Sequence, residues 1–200
     1  MRALDAKFIV IDFETTGTVQ NLPSEPWQIG YVCVEDGSID PQKSFMSHLK
    51  IGNRPFHPRA PGNYHQLRDQ LEMSPTLTSL WPQLSPTLGN LPLAAHNISV
   101  ERNILTQYIP LHQLGPWIDT LQLARKALPN LKSYALEDLS QALELTSDLK
   151  KLCPELAPHD ALYDASASAL LLLFILKQDG WQDCSLEYLS QLSTRNSSNG

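Results

Sequence analysis

Acidic side chains recur in this chain at spacings that suit metal-assisted chemistry. Asp12 and Glu14 end an apolar run at residues 8–13 and, two apart, would share one face of a strand. Ionised carboxylates side by side repel, and a hard divalent cation relieves that repulsion by taking their oxygens. His159 and Asp164 form an H-x4-D pair at the head of an alanine-rich stretch. Ala165, Ala167 and Ala169 would let a helix there approach a sheet closely. His96 and Asn97 follow a short apolar run, with Glu101 one turn into the helix expected after them. Each feature alone also has a plain structural reading. A D-x-E pair can be a strand end turning into solvent, and Asn97 can be a helix N-cap. Asp164 can be an acid favoured by the helix macrodipole, and Glu101 a solvated acid beside Arg102.

The elements that must position these residues follow from the pattern. Residues 8–13 read as a buried strand and 28–35 as a second. Asp36-Gly37 signals a reversal, which makes 42–50 an antiparallel partner. Residues 51–63 read as a loop. Ser74-Pro75 looks like an N-cap and first helical residue, and Pro82 and Pro86 should break or kink the helix that follows. A short strand at 92–95 leads to a helix capped by Asn97 and running to about Tyr108. Another at 117–118 leads to Asp119, which with Gln122 forms a capping box for a helix to Ala127. Ser133 is expected to cap a helix to Leu143, and Asp160 a long one to Lys177. Residues 187–192 read as a last short helix. The pattern is mixed α/β, without a glycine-rich dinucleotide or P-loop signature.

In this order, the features resemble the DEDDh exonucleases, the DnaQ-like 3′→5′ family. The D-x-E-T-T-G motif of that family stands here as Asp12-Phe13-Glu14-Thr15-Thr16-Gly17, and H-x4-D as His159 to Asp164. Its A-H-N-x3-D motif is Ala95-His96-Asn97 followed by Glu101, a departure from the usual aspartate. Gln28-Ile29-Gly30 and Asp119-Thr120-Leu121 match intervening pieces. The resemblance spans about residues 8–176. It implies a ribonuclease H-like α/β fold, with a central mixed sheet of about five strands flanked by helices. It also implies two Mg²⁺ or Mn²⁺ ions, about 4 Å apart. Asp12, Glu14 and Asp164 would hold one ion, Asp12 also the second, and Glu101 would reach the second through water. His159 would be the general base, histidine being the side-chain type that titrates near neutrality. Thr15 and Thr16 would contact the terminal nucleotide, with His96 and Asn97 beside the same cleft. The expected substrate is a nucleic acid 3′ end, single-stranded DNA first. The alternatives are an RNA-processing exonuclease and a binding module of the same fold, with Glu101 as the catalytic lesion. Retention of Asp12, Glu14, His159 and Asp164 speaks against the last.

Composition bounds the rest. With 42% hydrophobic and only 18% charged residues, the chain can build a core and is neither a disordered chain nor a coiled coil. A net charge of −6 excludes a binder that works by bulk positive charge. A held cation could attract phosphates instead. So could the acid-free segment 41–68, with Lys43, Lys50, Arg54, Arg59 and Arg68, where Phe56 and Tyr64 could stack on bases. Three cysteines, widely spaced, form neither a disulfide framework nor a zinc site, which fits a reducing cytoplasm. No targeting segment is visible, and the apolar stretch 169–176 is too short to span a bilayer. One exonuclease domain is expected at 1–192 with a flexible tail at 193–200. That tail leaves little room for a polymerase-binding extension, so a free-standing enzyme is expected, with polymerase association possible but not indicated.

Overall fold

The structure, a computed structural model, describes residues 1–19, 22–60, 62 and 67–194. Asn21, Tyr64 and the tail beyond Thr194 lie outside the described residues. A short 3₁₀ turn, Ala3–Asp5, leads into β1 (Phe8–Thr15), β2 (Pro26–Glu35) and β3 (Ser38–His48). Then come α1 (Arg68–Met73), α2 (Leu77–Leu88), β4 (Leu93–Ala95), α3 (Ser99–Tyr108) and β5 (Trp117–Asp119). The chain continues through α4 (Thr120–Ala127), α5 (Leu136–Ala142), α6 (Thr146–Leu152), α7 (Ala161–Leu176) and α8 (Leu186–Thr194). The five-stranded sheet has the order β3-β2-β1-β4-β5. β1, β2 and β3 pair antiparallel, while β4 and β5 continue parallel to β1. This is the mixed, helix-flanked sheet expected for a ribonuclease H-like fold.

Alternation along β1 builds two cores. Phe8 and Val10 face one cluster with Leu172 and Ile175 of α7. Ile9, Ile11 and Phe13 face another with Leu84 and Leu88 of α2 and Leu105 of α3. By the same period Asp12 and Glu14 fall on the α7 side. In register, Asp12 opposes Gly30 and Glu14 opposes Gln28. Those two β2 residues seat α7. A Cβ on Gly30 would lie 2.3 Å from the Leu162 nitrogen, so only glycine admits the helix this close. The Gln28 side-chain oxygen accepts the Ala161 N–H at 3.0 Å, satisfying a donor at the open start of α7. Asp164 is thereby brought over the end of β1.

Several sequence expectations shift. β3 starts at Ser38, not 42, because Asp36 and Gly37 (φ 49° and 68°) make a two-residue turn and pairing resumes at once. α2 is neither broken nor capped by Ser74. Thr76 caps it by accepting the Ser79 N–H at 3.1 Å, while Ser74 closes α1. Pro82 and Pro86, four apart, sit on its exposed face, where water can take the freed carbonyls. Leu77, Trp81, Leu84 and Leu88 anchor the opposite face. Ser133 stands before α5, its hydroxyl accepting the Ala135 N–H at 3.2 Å. Asp160 precedes α7 as expected, but its carboxylate accepts the Ala157 N–H. The tail does not begin at Ser193. That residue is buried in α8, accepts the Asp119 N–H at 2.8 Å and donates to the Leu189 carbonyl. Among the described residues, no helix is long and apolar enough to cross a membrane.

Candidate active site

The C-terminal end of β1, the first turn of α3 and the head of α7 meet at one cluster of acids. Glu14 and Glu101 are 7% and 3% exposed, which is exceptional for carboxylates without a cationic partner. Asp12 and Asp164 are half-buried beside them. His159 is exposed, and its backbone N–H donates to Asp164 Oδ2 at 3.2 Å. Donor atoms of Glu14, His159 and Asp164 all lie within 4.8 Å of one another. Among the described residues, no lysine or arginine forms an ion pair with any of the acids in the cluster.

The electrostatics follow from that isolation. Burial, then the neighbouring Asp164, pushes Asp12 well above the usual carboxylate range. Burial and then the charges of Asp12 and Asp164 push Glu14 up to about 9. Asp164 is raised by burial to about 6, with the His159 N–H holding it down. Glu101 is raised by burial and then by Asp12, with Asp119 and Glu14 adding to the effect. It is therefore not a solvated acid beside Arg102. Its Oε2 is buried with no hydrogen-bond partner. Carboxylates that cannot all ionise together, with an imidazole at the rim and an orphaned buried oxygen, fit hard divalent cations. Protons take that place when cations are withheld.

A stability prediction results. Glu14 keeps a proton when folded that it loses near pH 4.5 when unfolded. Between those values the folded state binds more protons, so stability falls as pH rises and the full penalty is reached above about 9. With chelator present, thermal unfolding midpoints should drop from pH 5 to pH 8, by on the order of a few kcal/mol in stability. Glu14→Gln should flatten the trend, and divalent ions should raise the midpoint more at pH 8 than at pH 5. A midpoint that climbs with pH in chelator, or ignores Glu14→Gln, would contradict the electrostatic account.

The residues expected to touch substrate divide. Thr15 is half-buried at the end of β1, and Asn97 is exposed. Thr16 is fully buried and spent on the scaffold. Its N–H and hydroxyl pair with the backbone of Glu25 at 2.9 and 3.0 Å, and its carbonyl accepts the His57 N–H. His96 is also withdrawn, with Nδ1 3.0 Å from the Thr120 hydroxyl and Nε2 2.9 Å from the Tyr134 carbonyl. Neither ring nitrogen is left for a nucleotide, so His96 pins the approach to α5. Asn97 is not the N-cap of α3, because its φ of 72° is left-handed where a cap is extended. Its side-chain oxygen accepts the Ser99 hydroxyl at 2.8 Å.

Some positioning groups escaped the sequence reading. The Asp119 carboxylate caps α4 as expected, but it also accepts the Asn97 N–H at 3.2 Å and so fixes the turn before Glu101. Nothing local in the sequence signals that reach. The cationic segment is neutralised only in part. Lys43 pairs with Glu35 and Asp40, Arg54 with Glu25, and the Arg68 guanidinium lies over the Phe56 ring. Lys50 and Arg59 stay exposed.

Comparison with known proteins bears on this arrangement. The family model described as Exonuclease (RNase_T) matches residues 9–172. The chain belongs to the exonuclease family. Exodeoxyribonuclease 10 of Escherichia coli (strain K12) is 32% identical over 173 residues, covering 86% of this chain and 70% of that protein. DNA polymerase III subunit epsilon of Aquifex aeolicus (strain VF5) is 25% identical over 181 residues, covering 88% and 83%. A structure of Exonuclease X in complex with 5′ overhanging duplex DNA superposes with a TM-score of 0.73 at 26% identity. It covers 93% of this chain and 99% of that one. This exonuclease is thus of the DnaQ-like, DEDDh kind, with glutamate at its second motif.

Proposed function

We propose that this exonuclease hydrolyses the terminal phosphodiester at DNA 3′ ends, releasing nucleoside 5′-monophosphates with Mg²⁺ or Mn²⁺. The observation that carries the reading is the convergence of Asp12, Glu14, Glu101 and Asp164, buried or half-buried, with His159 at their rim. Asp12, Glu14 and Asp164 would hold the ions, and Glu101 would act from behind them. Two such ions supply charge stabilisation to the entering and leaving oxygens of an in-line displacement. His159 takes the proton of the attacking water, and Asp164 holds the His159 backbone in place. DNA is favoured over RNA by the relatives, an exodeoxyribonuclease and an exonuclease seen with DNA. Buried Cys33 and Cys153, both free thiols, suit a reducing compartment such as the cytoplasm. Digestion of matched single-stranded DNA, 5′-overhanging duplex and RNA in each metal tests the reading. Stepwise release of 5′-mononucleotides from DNA 3′ ends supports it, and release from RNA alone would replace it.

Glu101 marks the departure from the family pattern and gives a second test. If its charge works on the ions through water, charge should matter more than length. Glu101→Asp should keep activity within about tenfold, about 1.4 kcal/mol in the transition state. Glu101→Gln, of the same shape without the charge, should lose far more. The parent should also be more sensitive than Glu101→Asp to exchanging Mn²⁺ for Mg²⁺, since Mg²⁺ demands stricter octahedral geometry. A Glu101→Gln protein as active as the parent would remove Glu101 from the site.

A further inference from the structure

Glu101 has little of its own to hold it among the acids. Its Oε2 has no partner, and the backbone hydrogen bond that its carboxyl accepts comes from its own residue. The carboxylate therefore goes where the first turn of α3 goes. That helix has no side-chain cap, since Ile98 stands at its N-cap. The chain enters it through the left-handed Asn97, and two anchors tie that turn to the rest of the fold. The Asn97 N–H donates to Asp119 Oδ1 at 3.2 Å, and the His96 ring lies 3.0 Å from the Thr120 hydroxyl. Both anchors lead to the junction of β5 and α4. β5 is an edge strand, so part of its backbone has no strand to pair with. The Asp119 N–H goes instead to Ser193 Oγ of α8 at 2.8 Å. The Ser193 hydroxyl gives its own proton to the Leu189 carbonyl at 2.8 Å, so toward Asp119 it acts as an acceptor. Asp119 and Ser193 are both buried, and an N–H deprived of that oxygen would have no water to turn to.

We infer that Ser193 is a positioning residue of the active site: from α8, through Asp119 and Asn97, it sets where the Glu101 carboxylate stands among the acids. The inference rests on the exonuclease reading for its effect on rate, but not for its geometry. Without the hydroxyl, Asp119 shifts to satisfy its N–H, the Asn97 anchor loosens and the first turn of α3 moves with it. Ser193→Ala should lower kcat about tenfold with KM little changed, because a displaced carboxylate touches the reaction and not the grip on substrate. The loss should be greater in Mg²⁺ than in Mn²⁺, since Mg²⁺ demands the stricter geometry. Ser193→Thr keeps the hydroxyl and should restore the rate.

Two measurements separate this role from a purely structural one. The first is a double-mutant cycle on steady-state hydrolysis of one oligonucleotide. In a Glu101→Gln background, Ser193→Ala should cost about twofold in kcat at most, because the charge that it positions is already gone. A residue that only holds the fold together would cost the same factor in both backgrounds. The second needs neither metal nor turnover. Amide hydrogen exchange is followed in chelator for the parent, Ser193→Ala and Ser193→Thr proteins. Exchange over residues 97–103 should quicken about tenfold in Ser193→Ala, while the head of α7 keeps the parent rate and Ser193→Thr matches the parent throughout. That pattern in a parent protein that hydrolyses no nucleic acid would leave the positioning role standing and sink the exonuclease reading. Equal losses of kcat in the two backgrounds, a KM that rises as much as kcat falls, or exchange that quickens everywhere or nowhere would overturn the role of Ser193.

Discussion

Asp12→Asn is expected to cut hydrolysis by on the order of 10³-fold or more, at least about 4 kcal/mol of transition-state stabilisation, while leaving the metal-free protein at least as stable. The opposite signs come from one geometry. Burial and then Asp164 raise Asp12, and Asp12 in turn adds to the burial that raises Glu14 and Glu101, so its charge bears on every other acid raised by the cluster. Replacing it with a neutral isostere removes a repulsion that the empty site must otherwise relieve with protons. Glu14 should then need its proton less, and the fall in stability with pH should become shallower. With metal the sign reverses, because a ligand has been lost, and divalent ions should raise the unfolding midpoint less than in the parent. A structural acid would behave differently, losing stability with activity. Near-normal turnover by Asp12→Asn in Mg²⁺ would end the metal assignment. A large drop in metal-free stability would show that Asp12 holds the fold and not the ions.

Much of the frame was legible because its signals are local. An apolar run ended by D-x-E, an Asp-Gly turn and an alanine-rich helix each carry their meaning within a few residues. β1, β2 and α7 appear where those signals put them, and Asp119 caps α4 through its neighbours' N–H groups. What stayed hidden depends on distant partners. Glu101 is a candidate only through its place in the second motif, since its own neighbours suit a solvated acid equally well, and its burial beside Asp12 depends on the fold. His96 and Thr16 read as substrate contacts, yet they spend their polar atoms on Tyr134, Thr120 and Glu25, each in another segment. α2 runs unbroken through Pro82 and Pro86 because both fall on its exposed face, which the count of lost hydrogen bonds does not weigh. Ser193, in a polar terminal run, is held by a donor 74 residues away.

His159 should prove the most sensitive residue outside the acid cluster, and its backbone dictates how to test it. It has φ of 72°, a left-handed conformation that costs most side chains but that asparagine tolerates well. Alanine there would remove the imidazole and also favour a different turn, disturbing the N–H that Asp164 accepts. Asparagine removes the proton acceptor while keeping the turn. His159→Asn should therefore lower kcat by roughly 10²–10⁴-fold, the usual worth of a positioned proton acceptor, with KM and the unfolding midpoint little changed. His159→Ala should show the same loss in kcat plus a small drop in stability. The ring is exposed and the nearest acids are half-buried or buried, so a small added base has access to the position the imidazole leaves. Imidazole in the buffer should accordingly restore part of the activity of His159→Ala. If KM rises as much as kcat falls in His159→Asn, the residue positions the phosphate. If kcat survives within a few-fold, another group takes the proton from the attacking water, and His159 serves only through the backbone N–H it lends to Asp164.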